Sequence, residues 1–375
     1  MEKEKSPLYV LREALFKLQP AIFLFGLGFR EVYLKKFFIV SVVLFLALMI
    51  ISSEWKRLIK PLSFKIVLAF FLLLFLFGVL LPGDFYDNQK YFFYYYPAYF
   101  LAFVMGLYWG KREDGQLVIE KTMVLLGLLV SISTLYLAFK AGKFGFWQGR
   151  FSHYNLLGMF IGAVSSFVLV ASITRRSLIA LLFLPLFIFV LVGSYSRGAT
   201  FSFALSSMIT IGLAIAKRHL KWERSLLLPI SVAAVFFAII FGIFYTHSSG
   251  MKSRVSQTLH LSLSGREDIW KDVLKKVKVR PLGYGISCVH TVVRNPHNQI
   301  LAFALGSGVL VSLYFLIMNL WVFFCGVRAK CVYLPGLAML LFFLFHFLVE
   351  GPLVIGIWDN SLLYWFSLGL ACSNF

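Results

Sequence analysis

The stretch SGREDIWKDVLKKVKVRPLGYGISCVHTVVRNPHNQILAFALGSGV, residues 264–309, is the polar centre of the one long hydrophilic interval in an otherwise apolar chain. Ser264 and Glu267 have the spacing of a capping box, and Pro281 ends the helix that the box would begin. His297 follows, where the chain returns to an apolar run. Helical spacing of apolar residues predicts a short amphipathic helix lying on a membrane or against a bundle; these residues are Ile269, Trp270, Val273, Leu274 and Val277.

Composition indicates the fold class. The 375 residues are 60% hydrophobic with a mean hydropathy of +0.85, which is more apolar surface than a soluble domain needs. We therefore expect an all-α polytopic membrane protein with about twelve transmembrane helices of roughly 17–25 residues each. The expected spans are 13–29, 36–53, 64–82, 91–110, 122–140, 154–173, 177–194, 199–216, 226–245, 299–325, 332–349 and 353–372.

These spans are expected to form one integral membrane domain. Residues 1–245 would hold transmembrane helices 1–9, residues 246–298 a long periplasmic loop with the amphipathic helix, and residues 299–375 helices 10–12. The charged first residues lack a small-residue cleavage site and are interpreted as a cytoplasmic tail. One of the four cysteines, Cys288, falls in the long loop, so no disulfide framework is implied.

Charge predicts the orientation. With the N-terminus in the cytoplasm, the inner segments hold 19 of the 36 Lys and Arg residues and the short outer segments hold eight. The remaining nine lie in the long outer loop, against three acidic residues, Glu267, Asp268 and Asp272. A basic external loop predicts an anionic partner. Cytoplasmic anchoring by Lys and Arg explains about half of the net charge of +20, so the charge does not require a nucleic acid partner.

Arginines on the outer side are the candidates for binding that partner. Arg197 lies in a short turn between two apolar runs, where it is either functional or a snorkelling arginine at a helix end. Arg266 lies in the first turn of the loop helix, where backbone N–H groups favour anions; the alternative is a solvated helix face. Possible additional site residues are Arg150, His153 and Asn298. The first two, with Asn155, stand at the membrane boundary before the sixth span.

His297 is the candidate general base. Neutral imidazole is favoured near the positive end of a helix, and this form accepts a proton. The alternative is that His297 caps the following helix, which Asn295 or Asn298 could do equally well. His153 is the second candidate, and the other histidines are interpreted as structural.

The order of several motifs resembles the O-antigen ligase family, which includes O-antigen polymerases and protein O-oligosaccharyltransferases. They are an SRGA turn (196–199), SGREDIW (264–270), RPLGYG (280–285), PHNQIL (296–301) and GSG (306–308). The resemblance implies a GT-C-like fold in the bacterial inner membrane, with glycan transfer on the periplasmic face. It also implies a donor on undecaprenyl pyrophosphate, a lipid A–core acceptor, a catalytic His297, and pyrophosphate binding by Arg197 and Arg266.

The residue chemistry agrees with this scheme. A sugar hydroxyl needs a base, and a pyrophosphate leaving group needs charge neutralisation by guanidinium groups. A single displacement would invert the anomeric carbon and requires no metal or other cofactor. A turn with two acids, Asp84 and Asp87, is the best place for a divalent ion, although solvated acids explain it more simply. A lipid-linked glycan transporter and a structural scaffold remain the alternatives from other classes, and membrane lipids are expected neighbours.

Overall fold

Helices make up nearly all of the described part of the chain. In a computed structural model these residues are 7–27, 31–52, 55–80, 93, 95–142, 145, 147–175, 178–217, short pieces between 231 and 246, 266–293, 296–329, 332–350 and 358–373. The α-helices are α1 Pro7–Leu27, α2 Glu31–Ser52, α3 Trp55–Leu58, α4 Leu62–Phe75, α5 Tyr96–Gly110, α6 Glu113–Lys140, α7 Tyr154–Arg175, α8 Leu178–Gly193, α9 Arg197–Ala216, α10 Arg266–Val279, α11 Val289–Val292, α12 Gln299–Ser307, α13 Val309–Arg328, α14 Leu334–Phe347 and α15 Trp358–Ala371. The all-α prediction is confirmed for this part of the chain.

Five of these helices are long and apolar enough to cross a membrane. They contain the segments Lys35–Ser52, Glu113–Lys140, Tyr154–Arg175, Arg197–Ala216 and Val309–Arg328. Shorter apolar helices cover Leu62–Gly78, Ala180–Gly193 and Leu334–Phe347. Large apolar side chains point outward, with Ile50 78% and Phe139 88% exposed, as is typical of a surface that faces lipid. The chain is thus a multi-pass membrane protein, but the described helices do not establish the expected number of about twelve spans.

The span expected at 299–325 is wrong as a single helix, because the structure divides it at Gly308. This residue has a φ of 90°, a conformation that favours glycine and that a continuing helix does not adopt. Elsewhere α6 begins nine residues before the span expected at 122–140, and α4 continues as a π-helical turn over Leu76–Leu80. The span expected at 226–245 falls mostly outside the described residues.

The centre of the bundle is α7, which is buried along almost its whole length by α6, α8, α9 and α14. A second close crossing joins α5 to α15 through Gly106 and Gly369. A Cβ at Gly106 would lie 2.1 Å from the carbonyl oxygen of Phe366, and one at Gly369 would lie 2.1 Å from that of Phe103. These two glycines therefore allow the backbones to touch, as small residues do in membrane helix pairs.

The amphipathic helix predicted in the long loop is α10, and it packs on the bundle. Its buried residues Val273 and Val277 join an apolar cluster with Val289, Ala302 and Leu305. The two glycine-containing motifs that flank this cluster pair with each other through backbone hydrogen bonds, from Gly285 N to Gly306 O at 2.8 Å and from Val309 N to Pro281 O at 2.9 Å. The loop helix is consequently fixed against α12, which begins just after His297.

Candidate functional site

A largely buried carboxylate, Glu350, is the centre of the polar site. It lies in the turn after α14, and its side chain is 12% exposed. One of its oxygens, Oε2, lies 2.9 Å from Arg266 Nη2. The other, Oε1, accepts a hydrogen bond from Asn155 Nδ2 at 2.8 Å and lies 3.5 Å from His297 Nδ1. These four residues, called the Glu350 cluster below, come from four separate parts of the chain.

The cluster stabilises the ionised form of Glu350. Burial acts to raise the pKa of this carboxyl, but its interactions with His297, His346 and Arg266 outweigh that effect and leave the pKa below its ordinary value. Glu350 is thus a carboxylate at neutral pH. Its negative charge is placed between a guanidinium and an imidazole, where it can orient both.

Arg266 is the first residue of α10 and is held by two partners. Besides its ion pair with Glu350, its Nη1 donates a hydrogen bond to the carbonyl oxygen of Val349. Further along the helix, Trp270 Nε1 donates to the carbonyl oxygen of Pro296 at 2.8 Å, which ties α10 to the residue before His297. The loop helix therefore brings the arginine and the histidine to the same turn. The predicted capping partner, Ser264, lies outside the described residues.

The backbone at His297 has a φ of 47°, in the left-handed region that non-glycine residues seldom occupy. This conformation directs Nδ1 toward Glu350, while the side chain stays 30% exposed. The next residue, Asn298, caps α12: its Oδ1 accepts from Leu301 N at 3.1 Å, and its Nδ2 donates to Leu348 O at 3.1 Å. Asn298 is thus the residue that caps α12, which is the role considered above as the alternative for His297.

Arg197 begins α9 close to the same turn. A Cβ added to its neighbour Gly198 would meet Val349 Cγ2 at 2.9 Å and the ring of His346 at 3.4 Å, so this helix start lies directly against the residues that precede Glu350. Tyr195, two residues before Arg197, also has a left-handed backbone, with a φ of 55°. Arg197 and Arg266 therefore approach one turn of the chain from two different helices.

Arg150 and His153 have contacts outside the Glu350 cluster. The guanidinium of Arg150 donates to the carbonyl oxygen of Leu27 and lies 4.4 Å from the ring centroid of Phe151. His153 is exposed, and its Nδ1 accepts from Asn155 N at 3.1 Å at the start of α7. Both residues thus help to fix the segment before α7, whose second residue, Asn155, reaches Glu350.

Sequence reasoning missed Glu350 as a site residue. A signal was present: Glu350 is the first acidic residue after Asp272, and it ends a long apolar run. An isolated ionisable group at the end of a membrane helix is a reason to look for a partner. His346 was interpreted as structural, and it is a buried ring stacked on Phe342 at a centroid distance of 5.7 Å.

A second polar cluster lies at the opposite end of α7. Arg175, the last residue of that helix, pairs with Glu120 of α6 at 2.8 Å between Nε and Oε1. Glu120 also accepts from the hydroxyl of Tyr333 at 3.2 Å, and Arg175 donates to Gln116 Oε1. These four residues are called the Glu120 cluster. Twenty residues of helix separate Asn155 from Arg175, about 30 Å, so the two clusters lie near opposite ends of the bundle.

The fold and the Glu350 cluster define a class: a multi-pass helical membrane protein with arginines and a histidine gathered at one end of its helices. Residues 179–316 match the family model described as O-antigen ligase, which confirms the resemblance seen in the motifs. This chain therefore carries a domain of a family that suggests a glycan-transferring enzyme. The matched segment contains Arg197, Arg266 and His297, whereas Asn155 and Glu350 lie outside it. A comparison with curated proteins gives no match.

Proposed function

We propose that this protein is an O-antigen ligase, which transfers a glycan from undecaprenyl pyrophosphate to a hydroxyl of lipid A–core oligosaccharide. The observation that carries the proposal is the Glu350 cluster, in which Arg266 and His297 meet on one carboxylate. A partly exposed imidazole beside a guanidinium is the pair that a transfer from pyrophosphate needs. The family match adds lipid-linked glycans as the substrate class.

In the proposed reaction His297 is the general base. Its Nδ1 faces Glu350, so Nε2 on the other side of the ring is the atom that takes the proton of the acceptor hydroxyl. The acceptor oxygen then forms a bond to the anomeric carbon while the bond from that carbon to the pyrophosphate oxygen breaks. The attack comes from the face opposite the leaving group and inverts the anomeric centre. The proton on His297 returns to solvent when the product leaves.

In the proposed reaction Arg197 and Arg266 bind the pyrophosphate leaving group. The two charges of Arg197 and Arg266 would neutralise the pyrophosphate as the glycosidic bond breaks, and guanidinium groups can form paired hydrogen bonds to its oxygens. This scheme needs no metal ion or other cofactor. The acids that could hold a divalent ion, Asp84 and Asp87, lie outside the described residues.

We place the Glu350 cluster on the periplasmic side of the inner membrane. The opposite end carries Arg112, Lys121, Arg175 and Lys217, the last of which donates to Gly326 O at 2.8 Å. An excess of basic residues is typical of cytoplasmic ends. Residues 246–298 would then form the periplasmic loop between helices 1–9 and 10–12 of one membrane domain. An impermeant thiol reagent should label an engineered cysteine near Lys271 from outside intact cells but not one near Arg112.

The test of the proposed function is transfer by the purified, lipid-reconstituted protein. His297→Gln should lose about 10²–10⁴-fold in turnover, because an amide cannot take up the acceptor proton. His219→Gln is the matched control, a histidine in a basic segment that the charge pattern places on the cytoplasmic side, and should stay close to wild type. Full activity of His297→Gln with the lipid-linked donor would show that His297 is not the base.

The choice of acceptor separates the branches of the family. A ligase forms lipid A–core product, a polymerase lengthens the lipid-linked glycan, and a protein O-oligosaccharyltransferase modifies a polypeptide. Incubating one donor with all three acceptor types and resolving the products by mass distinguishes these outcomes. A lipid-linked glycan transporter would move donor across the vesicle membrane without forming any product, and His297→Gln would leave that movement unchanged.

A further inference from the structure

We propose that Glu350 is a positioning residue that holds the base, His297, and the leaving-group arginine, Arg266, in fixed relation through one carboxylate. This inference rests on the proposed function. Glu350 belongs neither to the matched family segment nor to the motifs in the sequence. It acts through its two neighbours and need not touch either substrate.

The two oxygens of Glu350 have different partners. Oε2 faces Arg266 Nη2 at 2.9 Å, whereas Oε1 is shared between Asn155 Nδ2 at 2.8 Å and the approaching His297 Nδ1 at 3.5 Å. The hydrogen bond from Asn155 fixes the rotation of the carboxylate. The distance to His297 is long for a formed hydrogen bond, and catalytic hydrogen bonds commonly shorten when substrate binds.

The backbone around Glu350 is held as firmly as its side chain. Arg266 Nη1 donates to the carbonyl oxygen of Val349, and Asn298 Nδ2 donates to that of Leu348 at 3.1 Å. The amide N–H of Glu350 itself donates to His346 O at 2.8 Å. Because Arg266 and Asn298 flank the loop that carries His297, the turn at 348–350 and the base are parts of one hydrogen-bonded unit.

The chemistry of the imidazole gives this arrangement its role. A carboxylate beside Nδ1 favours the tautomer with the proton on Nδ1, which leaves the lone pair on Nε2 for the acceptor proton. After transfer, the same negative charge stabilises the imidazolium. Removing such a carboxylate while keeping its shape costs several orders of magnitude in enzymes that use a carboxylate–histidine pair, because the ring adopts the wrong tautomer.

The ion pair with Glu350 also orients the guanidinium of Arg266. Its guanidinium has five N–H donors in a rigid plane, so it can keep Glu350 and Val349 as partners and still present donors to a pyrophosphate. A lysine lacks this plane. Among the described residues, the charged and titratable groups around Glu350 are Arg266 from α10, His297 before α12, and His346 from α14, with the amide of Asn155 from α7.

The experiment compares Glu350→Gln with Glu120→Gln in the full-length, lipid-reconstituted protein. Both change a largely buried carboxyl group into an amide, and among the described residues the first lies beside a histidine whereas the second does not. For Glu350→Gln we expect kcat to fall about 10²–10⁴-fold and the acidic limb of the pH–rate profile to move. The donor KM should change less than kcat. Glu120→Gln should keep the wild-type kcat and pH profile.

Thermal unfolding in detergent shows whether Glu350→Gln folds. If it does not fold, a second variant tests the same role. Glu350→Asp keeps the charge but is one methylene shorter, so it cannot keep both Arg266 and His297 at their present distances. Its kcat should fall about tenfold or more. Wild-type kcat and pH profile in either folded Glu350 variant would overturn the positioning role.

The result for His297→Gln separates the two proposals. An inactive His297→Gln together with a fully active Glu350→Gln would refute the role of Glu350 and leave the proposed function standing. A fully active His297→Gln would refute the general-base mechanism itself, whatever the Glu350 variants do.

Discussion

The Glu350 cluster and the Glu120 cluster are built from the same pair of residue types and differ in what surrounds the pair. Each has one carboxylate and one arginine at an end of the bundle. Among the described residues of the Glu120 cluster, the further partners are a tyrosine hydroxyl on Glu120 and a glutamine amide on Arg175, which do not take up protons near neutral pH. Around Glu350 they are an amide and a histidine that is 30% exposed.

This difference teaches how to tell a structural ion pair from a reactive one. The Glu120 cluster joins α6, α7 and the start of α14, so it can hold three helices together. The Glu350 cluster adds a base that solvent can reach, together with a second helix start that carries Arg197. The pair alone does not distinguish the two ends; the neighbouring histidine does. Four predictions test this comparison.

The largest difference in turnover is expected between variants of Arg266 and variants of Arg175. Arg266→Ala should lower turnover with the lipid-linked donor by about 10²-fold or more, because a charge that stabilises the leaving group is lost. Arg266→Lys should recover only part of this, since a point charge cannot replace the guanidinium fork. Arg175→Ala, the matched change in the Glu120 cluster, should leave turnover nearly unchanged. Equal losses in the two alanine variants would remove the distinction between the clusters.

The next effect concerns stability at the Glu120 cluster. Glu120→Ala should lower the free energy of unfolding by roughly 1–2 kcal/mol, because it leaves the buried hydroxyl of Tyr333 and the guanidinium of Arg175 without this hydrogen-bond acceptor. The expected loss is below that of a fully buried pair because a third of the Arg175 side chain is exposed and screened by solvent. Thermal unfolding in detergent measures it. An unchanged melting temperature would argue against a structural role for the cluster.

The third effect is a pH dependence at Glu350. Its folded-state pKa lies below the ordinary value of 4.5, so its contribution to stability is present above that pH and is lost as the pH falls through the folded-state pKa. The difference in melting temperature between wild type and Glu350→Gln should therefore shrink as the pH is lowered from about 5 through the folded-state pKa of Glu350. A difference that grows below about pH 5 would have the opposite sign and would contradict the lowered pKa of Glu350.

The smallest effect is expected at Asn298. Asn298→Ala removes the cap of α12 and should cost about 1 kcal/mol of stability. Asn298→Ser keeps a capping oxygen but loses the donor to Leu348 O, so it should be less destabilising while loosening the turn before Glu350. Unfolding measurements on both variants separate the two contacts. If serine proved as costly as alanine, the contact to Leu348 would matter more than the cap.

The sequence predicts the local part of this site well. Helical periodicity between Ile269 and Val277 indicates α10, and that helix ends at Val279, just before Pro281, as expected. Apolar runs also indicate where most of the described helices lie. Charge counts and motifs then direct attention to Arg197, Arg266 and His297, which the fold brings to the same end of the bundle.

The parts that sequence reasoning missed are those set by distant segments of the chain. The ion pair between Arg266 and Glu350 joins residues 84 positions apart, and no local pattern encodes that contact. Likewise, the break at Gly308 depends on backbone pairing with Pro281 and Leu282 across the loop, whereas the run of apolar residues is continuous. Hydropathy reports which residues prefer lipid and does not report how a helix is interrupted by packing.

The left-handed backbone at His297 has a consequence for directed evolution. A non-glycine residue in this region costs of order 1–3 kcal/mol, a cost that glycine avoids and asparagine reduces. A library selected only for survival at high temperature should therefore enrich glycine or asparagine at position 297, and the winners should outlast the parent on heating while transferring no glycan. Under selection for transfer the same position should stay histidine, so that the two screens would diverge at this codon first.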